Sequence, residues 1–217
     1  MMKKLLFVIL FLCLCGYSRV LFAADPYRLL VFGDSLSAGY GVGEKKSFAS
    51  LLQIELHEKG YKNVKVINQS KSGETTSGAL LRLNSVLNAV RPNGVLLELG
   101  INDVFQGKSV LFIEKNLSRI VEICQQRGIF VLLAGMKAPP YAGIIYQRKF
   151  DQMYENLASK YNLILYPFFM KGLVELENGT PISKYTLSDK VHPNIQGIAL
   201  IVQNIMPYIE KFLKESE

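Results

Sequence analysis

Four short segments of this chain carry residues whose types and spacing suit acyl transfer. The first is "LLVFGDSLSAGYGV", residues 29–42, where an apolar run ends abruptly in Gly33-Asp34-Ser35. A serine hydroxyl at the end of a buried strand can act as a nucleophile when a base stands beside it. The same three residue types also make an ordinary turn and helix cap, so this segment alone decides nothing. The second, "NQSKSGETTSG", brings Gly73, whose missing Cβ lets a backbone N–H approach a bound group, or simply serves a turn. The third, "ELGINDV", supplies Asn102, a neutral amide donor able to stabilise an oxyanion or to close an Asx turn. In the fourth, "LSDKVHPNIQG", Asp189 and His192 lie three residues apart, near enough for a carboxylate to hold an imidazole in one tautomer. Pro193 favours extended backbone at His192 and so helps fix where the ring points. The chain has two histidines, and His57, within "QIELHEKG", is expected on an exposed helical face. His192 is therefore the candidate base.

For four distant segments to meet, the intervening chain must bring them to one edge. Apolar runs of strand length recur at 28–32, 64–68, 95–99, 129–134 and 163–166. Most are nearly continuous rather than alternating, the pattern of strands covered on both faces. Helical patterns lie between them, at 45–59, 75–90, 110–127, 144–160 and 195–214, with Pro207 expected to kink or divide the last. Over 75–90, Ala79, Leu80, Leu83, Val86, Leu87 and Val90 form one stripe, with Arg82, Asn84 and Asn88 opposite. Five alternations of strand and helix predict a flavodoxin-like three-layer α/β/α sandwich, a five-stranded parallel sheet with helices on both faces. Ligands of such sheets bind at the carboxyl ends of the strands, where the first three segments fall.

At 217 residues the chain suits one domain, expected over 25–217. Residues 1–24, "MMKKLLFVILFLCLCGYSRVLFAA", have a basic start, an apolar stretch and a small-residue exit, the layout of a cleaved signal peptide. An uncleaved anchor or a lipoprotein is a weaker alternative. Losing Lys3, Lys4 and Arg19 with that segment lowers the formal charge from +7 to +4. The remaining cations are scattered, without the clustering of a nucleic-acid face, so no nucleic-acid partner is expected. Of the three cysteines only Cys124 would survive processing, on an apolar helical face that favours an inert buried thiol. The histidine and cysteine positions make a protein-built zinc site implausible, and no cofactor is expected.

At these residues the chain resembles the SGNH hydrolases, the GDSL lipase/esterase superfamily, over nearly all of the mature sequence. "GDSLSAGYG", the glycine of "NQSKSGETTSG", "GIND" and "DKVHPN" stand in the family's order. "GDSLSAGYG", "ELGIND" and "YPFFM" are closest to its branch of bacterial exported arylesterases and acyl-CoA thioesterase/lysophospholipases. The resemblance implies a Ser35–His192–Asp189 triad with Ser35 as nucleophile. It also implies an oxyanion hole formed by the Ser35 and Gly73 N–H groups with the Asn102 amide, and a structural role for Asp34. Relatives usually carry glycine where this chain has Ile101, a change expected to narrow the acyl pocket or alter its loop.

The activity so implied is hydrolysis of fatty acyl esters or thioesters by a monomer, with a lipid surface as an additional contact. A carbohydrate deacetylase and a non-catalytic lipid- or glycan-binding protein are the alternatives. Residues 135–150, "GMKAPPYAGIIYQRKF", offer Pro139, Pro140, Tyr141, Ile144 and Ile145 for an acyl groove, or equally a plain surface connection. A nucleotide-binding role is disfavoured because no glycine-rich phosphate loop follows the first strand.

Overall fold

A computed structural model of the chain describes residues 25–174 and 180–216, so the expected signal segment lies outside the described residues. Five strands, β1 (Tyr27–Gly33), β2 (Val64–Asn68), β3 (Gly94–Glu98), β4 (Phe130–Ala134) and β5 (Ile164–Tyr166), form one sheet in the order β2-β1-β3-β4-β5. All four pairings are parallel. The expected five-stranded α/β/α architecture is what forms. Burial explains why the strands read as unbroken apolar runs, since Leu29, Leu30, Val31 and Phe32 of β1 and Val95, Leu96 and Leu97 of β3 are all fully buried.

Four long helices match their predicted positions to within a residue or two at each end. They are α3 (Thr76–Val90), α5 (Val110–Gln126), α6 (Ile144–Tyr161) and α7 (Ile195–Glu215). The helix expected at 45–59 is shorter, α2 (Phe48–Glu58), because Glu44–Lys46 forms a separate 3₁₀ turn and Ser47 then caps the helix. Helix α2 packs against α7 and β2, while α3, α5 and α6 pack in series. Pro207 does not divide α7. Its position faces solvent, while Ile201, Val202, Ile205, Met206 and Ile209 around it are buried, so the packed face stays continuous.

Two short helices were not anticipated: α1 (Ser35–Ala38) and α4 (Ile101–Phe105). Both start at the ends of strands, and neither is long enough to display a hydrophobic period. The strand order reverses between β1 and β3, and their carboxyl ends face the crevice where ligands of doubly wound sheets bind.

Candidate active site

Ser35 opens α1 directly after β1, with Asp34 as the N-cap accepting a hydrogen bond from the Leu36 N–H at 3.0 Å. Tight turning here needs a small residue for a reason specific to the fold. Gly33 is paired with Glu98 of β3, and a Cβ at Gly33 would lie 2.6 Å from Glu98 Oε2. Across the crevice, His192 Nε2 lies 2.9 Å from Ser35 Oγ, and His192 Nδ1 lies 2.8 Å from Asp189 Oδ2.

The loop that presents His192 is held by its own side chains. Asp189 Oδ1 accepts from the Val191 and His192 N–H groups at 2.9 and 3.0 Å, wrapping the backbone around the carboxylate. Asn194 caps α7 through Gly197 N–H and donates its amide to the carbonyls of Lys184 and Thr186. Tyr40 lies against the imidazole, with ring centroids 4.2 Å apart. Partial desolvation would raise the Asp189 carboxyl. Together, the hydrogen bonds from Val191, His192 and the imidazole outweigh it and hold the group below the usual carboxylate range. Asp189 is thus ionised where it faces the ring.

Gly73 stands in the loop after β2 with φ +76, a conformation that favours glycine, and open space surrounds the missing Cβ. Its loop is tied to α4 by the buried Asp103, whose two oxygens accept from the N–H and hydroxyl of Thr76 at 2.8 and 2.7 Å. Asn102, one residue before that anchor, donates through Nδ2 to Asp34 Oδ2 at 2.9 Å and to the Glu74 carbonyl at 3.1 Å. Asp34 is therefore more than a turn holder, because it aims the Asn102 amide. Ile101 packs inward at 8 % exposure as the first residue of α4. Of the segment after β4, Tyr141, Ile144 and Ile145 face solvent at 76, 60 and 70 % exposure. His57 is exposed on α2, as expected. Cys124 is fully buried, and desolvation pushes its thiol up to about 12, which leaves it inert as a nucleophile.

Sequence reasoning missed the carboxyl beneath the site. Glu98 is fully buried, and its Oε2 accepts from Ser37 Oγ at 2.8 Å and the Asp34 N–H at 3.3 Å. Its Oε1 has no hydrogen-bond partner among the described residues. Desolvation, then the nearby Asp34 charge, raise Glu98 well above the carboxylate range, and desolvation pushes Asp34 up to about 7. Both Asp34 oxygens accept from N–H donors, whereas an ionised Glu98 would leave one charged oxygen bare in the core. The proton of the pair therefore resides on Glu98.

A stability signature follows. Raised folded-state pKa values mean that the native state binds more protons than the unfolded chain above about pH 4. Their contribution is fully present below that pH and is lost as pH rises. Thermal unfolding midpoints are expected to fall between pH 5 and pH 8, and Glu98→Gln, which keeps the two acceptor contacts without an ionisable group, is expected to fall less. Parallel curves for the two proteins would show that Glu98 is not the titrating group.

The GDSL-like Lipase/Acylhydrolase family matches residues 31–200, most of the chain, including Ser35, Gly73, Asn102, Asp189 and His192. The chain belongs to this family. It is 34% identical over 212 residues to the arylesterase of Vibrio mimicus, covering 98% of this chain and all of that one. It is also 34% identical over 172 residues to thioesterase 1/protease 1/lysophospholipase L1 of Escherichia coli K12, covering 79% of this chain and 78% of that one. Among solved structures, esterase EstA from Pseudoalteromonas sp. superposes with a TM-score of 0.79 at 31% identity, covering 87% of this chain and 99% of the other. This GDSL protein is an ester hydrolase.

Proposed function

We propose that Ser35 is the nucleophile of a fatty acyl esterase and thioesterase that works through a covalent acyl-enzyme. The reading is carried by one observation, the unbroken contact from Ser35 Oγ to His192 Nε2 to Asp189 at 2.9 and 2.8 Å. His192 accepts the Ser35 proton as Oγ attacks the substrate carbonyl, and Asp189 stabilises the imidazolium that results. Collapse of the tetrahedral intermediate transfers that proton to the departing alcohol or thiol. Water then attacks the acyl-enzyme by the same route and releases a carboxylic acid. The developing oxyanion is received by the N–H groups of Ser35 and Gly73 and by the Asn102 amide. Because Nδ2 of Asn102 donates to Asp34 and Glu74 at rest, the oxyanion takes over the hydrogen given to the Glu74 carbonyl, the longer of the two bonds.

The substrate class follows the relatives named arylesterase and thioesterase 1/protease 1/lysophospholipase L1. Export with removal of residues 1–24 fits the composition of that segment, and N-terminal sequencing of the exported protein tests it. The decisive experiment for the chemistry is covalent labelling by a fluorophosphonate, followed by turnover on aryl esters, acyl-CoAs and lysophospholipids of varied acyl length. Ser35→Ala is expected to lose both label and turnover. Labelling that persists in Ser35→Ala, or turnover confined to acetylated sugars, would overturn the reading.

A further inference from the structure

The large apolar side chains that remain exposed are not scattered at random. Helices in a parallel α/β sheet run back against the strands, so their first turns stand at the carboxyl edge beside the catalytic groups. Leu111 and Phe112 lie in the first turn of α5 at 73 and 39 % exposure, and Ile144 and Ile145 open α6 at 60 and 70 %. Tyr141 precedes α6 at 76 %, and Tyr40 and Val191, next to the triad, are 50 and 46 % exposed. The hydroxyl of Tyr146 donates to the Lys108 carbonyl at 2.7 Å and joins the α6 side of this rim to the α4–α5 side. Elsewhere on the described surface, the large exposed apolar side chains Ile54, Leu81 and Phe130 stand apart on α2, α3 and the amino end of β4. Exposed apolar area gathered around one opening marks an interaction face rather than ordinary surface.

Charge selects the partner. The rim segments 101–112, 137–149 and 187–195 contribute the exposed cations Lys108, Lys137, Arg148, Lys149 and Lys190. Their carboxylates are Asp103, buried on Thr76, and Asp189, paired with His192. The loop after Tyr40 adds Lys45 and Lys46 against one exposed carboxylate, Glu44. Apolar side chains ringed by an excess of cations complement the acyl boundary and headgroups of an anionic lipid surface. We propose that this rim docks the protein on an anionic bilayer, with the mouth of the Ser35 site facing the lipid. Its purpose rests on the ester-hydrolase reading above, but the docking itself does not require turnover.

The test uses the Ser35→Ala protein, which leaves the lipid intact, in flotation with vesicles of phosphatidylcholine alone and of phosphatidylcholine with phosphatidylglycerol. Binding is expected to the anionic vesicles and to weaken with added salt. Leu111→Ser with Phe112→Ser, and separately Lys108→Gln with Lys149→Gln, are each expected to weaken it about tenfold or more. Made on the active protein, the same pairs are expected to leave hydrolysis of a water-soluble short-chain aryl ester unchanged, which also reports that they fold. Absence of binding to anionic vesicles, or binding that neither pair weakens, overturns the proposal. So does a dimer in solution that Leu111→Ser with Phe112→Ser dissociates, since a second copy would then be the occupant. Failure of the nucleophile reading would appear in fluorophosphonate labelling instead, which does not depend on lipid.

Discussion

His192→Ala is expected to lower turnover of an aryl ester by on the order of 10⁴-fold or more, with little change in the unfolding midpoint. The imidazole touches Ser35 through Nε2 and Asp189 through Nδ1, and its side chain is 19% exposed at the mouth of the crevice. Without it the Ser35 hydroxyl has no base, because the other carboxyls nearby, Asp34 and Glu98, face away into the core with their own donors. Fluorophosphonate labelling should disappear together with turnover, since both need the same activated oxygen. Asp189→Asn should fall between the wild type and His192→Ala. Its amide could no longer compensate the imidazolium, yet it could still shape the loop. A His192→Ala enzyme that labels normally would rule out this base.

The second large effect is expected at Asn102. Asn102→Ala should reduce kcat by roughly 10²–10³-fold while KM moves little, because the amide is needed when charge develops on the oxygen. The substitution also strips Asp34 Oδ2 of its donor, so a loss of about 1–3 kcal/mol in stability is expected from the under-paired buried carboxylate. A variant that unfolds at lower temperature but keeps its full kcat would remove Asn102 from the oxyanion hole and leave it as a strut for Asp34. Measured together, kcat and the unfolding midpoint separate those two roles.

The strands were legible because a parallel sheet buried on both faces demands continuous apolar runs such as 28–32. The long helices were legible from apolar stripes such as Ala79, Leu83 and Leu87 of α3, while their caps Thr75 and Ser109 emerged only in the structure. Arg82 shows where pattern reading stops. Helical period placed it opposite the apolar stripe, yet its guanidinium lies 4.3 Å above the Phe32 ring and pairs with the nearly buried Glu74. An arginine can lay its stem and flat face on apolar surface, so its position around a helix does not say where its charge ends. Helices α1 and α4 escaped for another reason, as each is a short strand-end turn held by distant partners, α1 by Glu98 of β3 and α4 by Asp34 and Thr76.

What the chain by itself determined is the set of parts: a serine after the first strand, a glycine after the second, an asparagine after the third, and an Asp-x-x-His near the end. Those types follow from local chemistry, and the alternation of strand and helix is enough to send three of them to one edge of a sheet. Only tertiary structure decided their couplings. The Asp34–Asn102 bond spans 68 residues, Asp34–Glu98 spans 64, and Ser35–His192 spans 157. Contacts of that separation leave no periodic trace in a sequence. Nor does the raised protonation of Glu98, which arises because its carboxyl is taken out of water near that of Asp34. The same holds for the apolar rim, whose members come from separate loops and helix starts that the folded sheet brings to one edge.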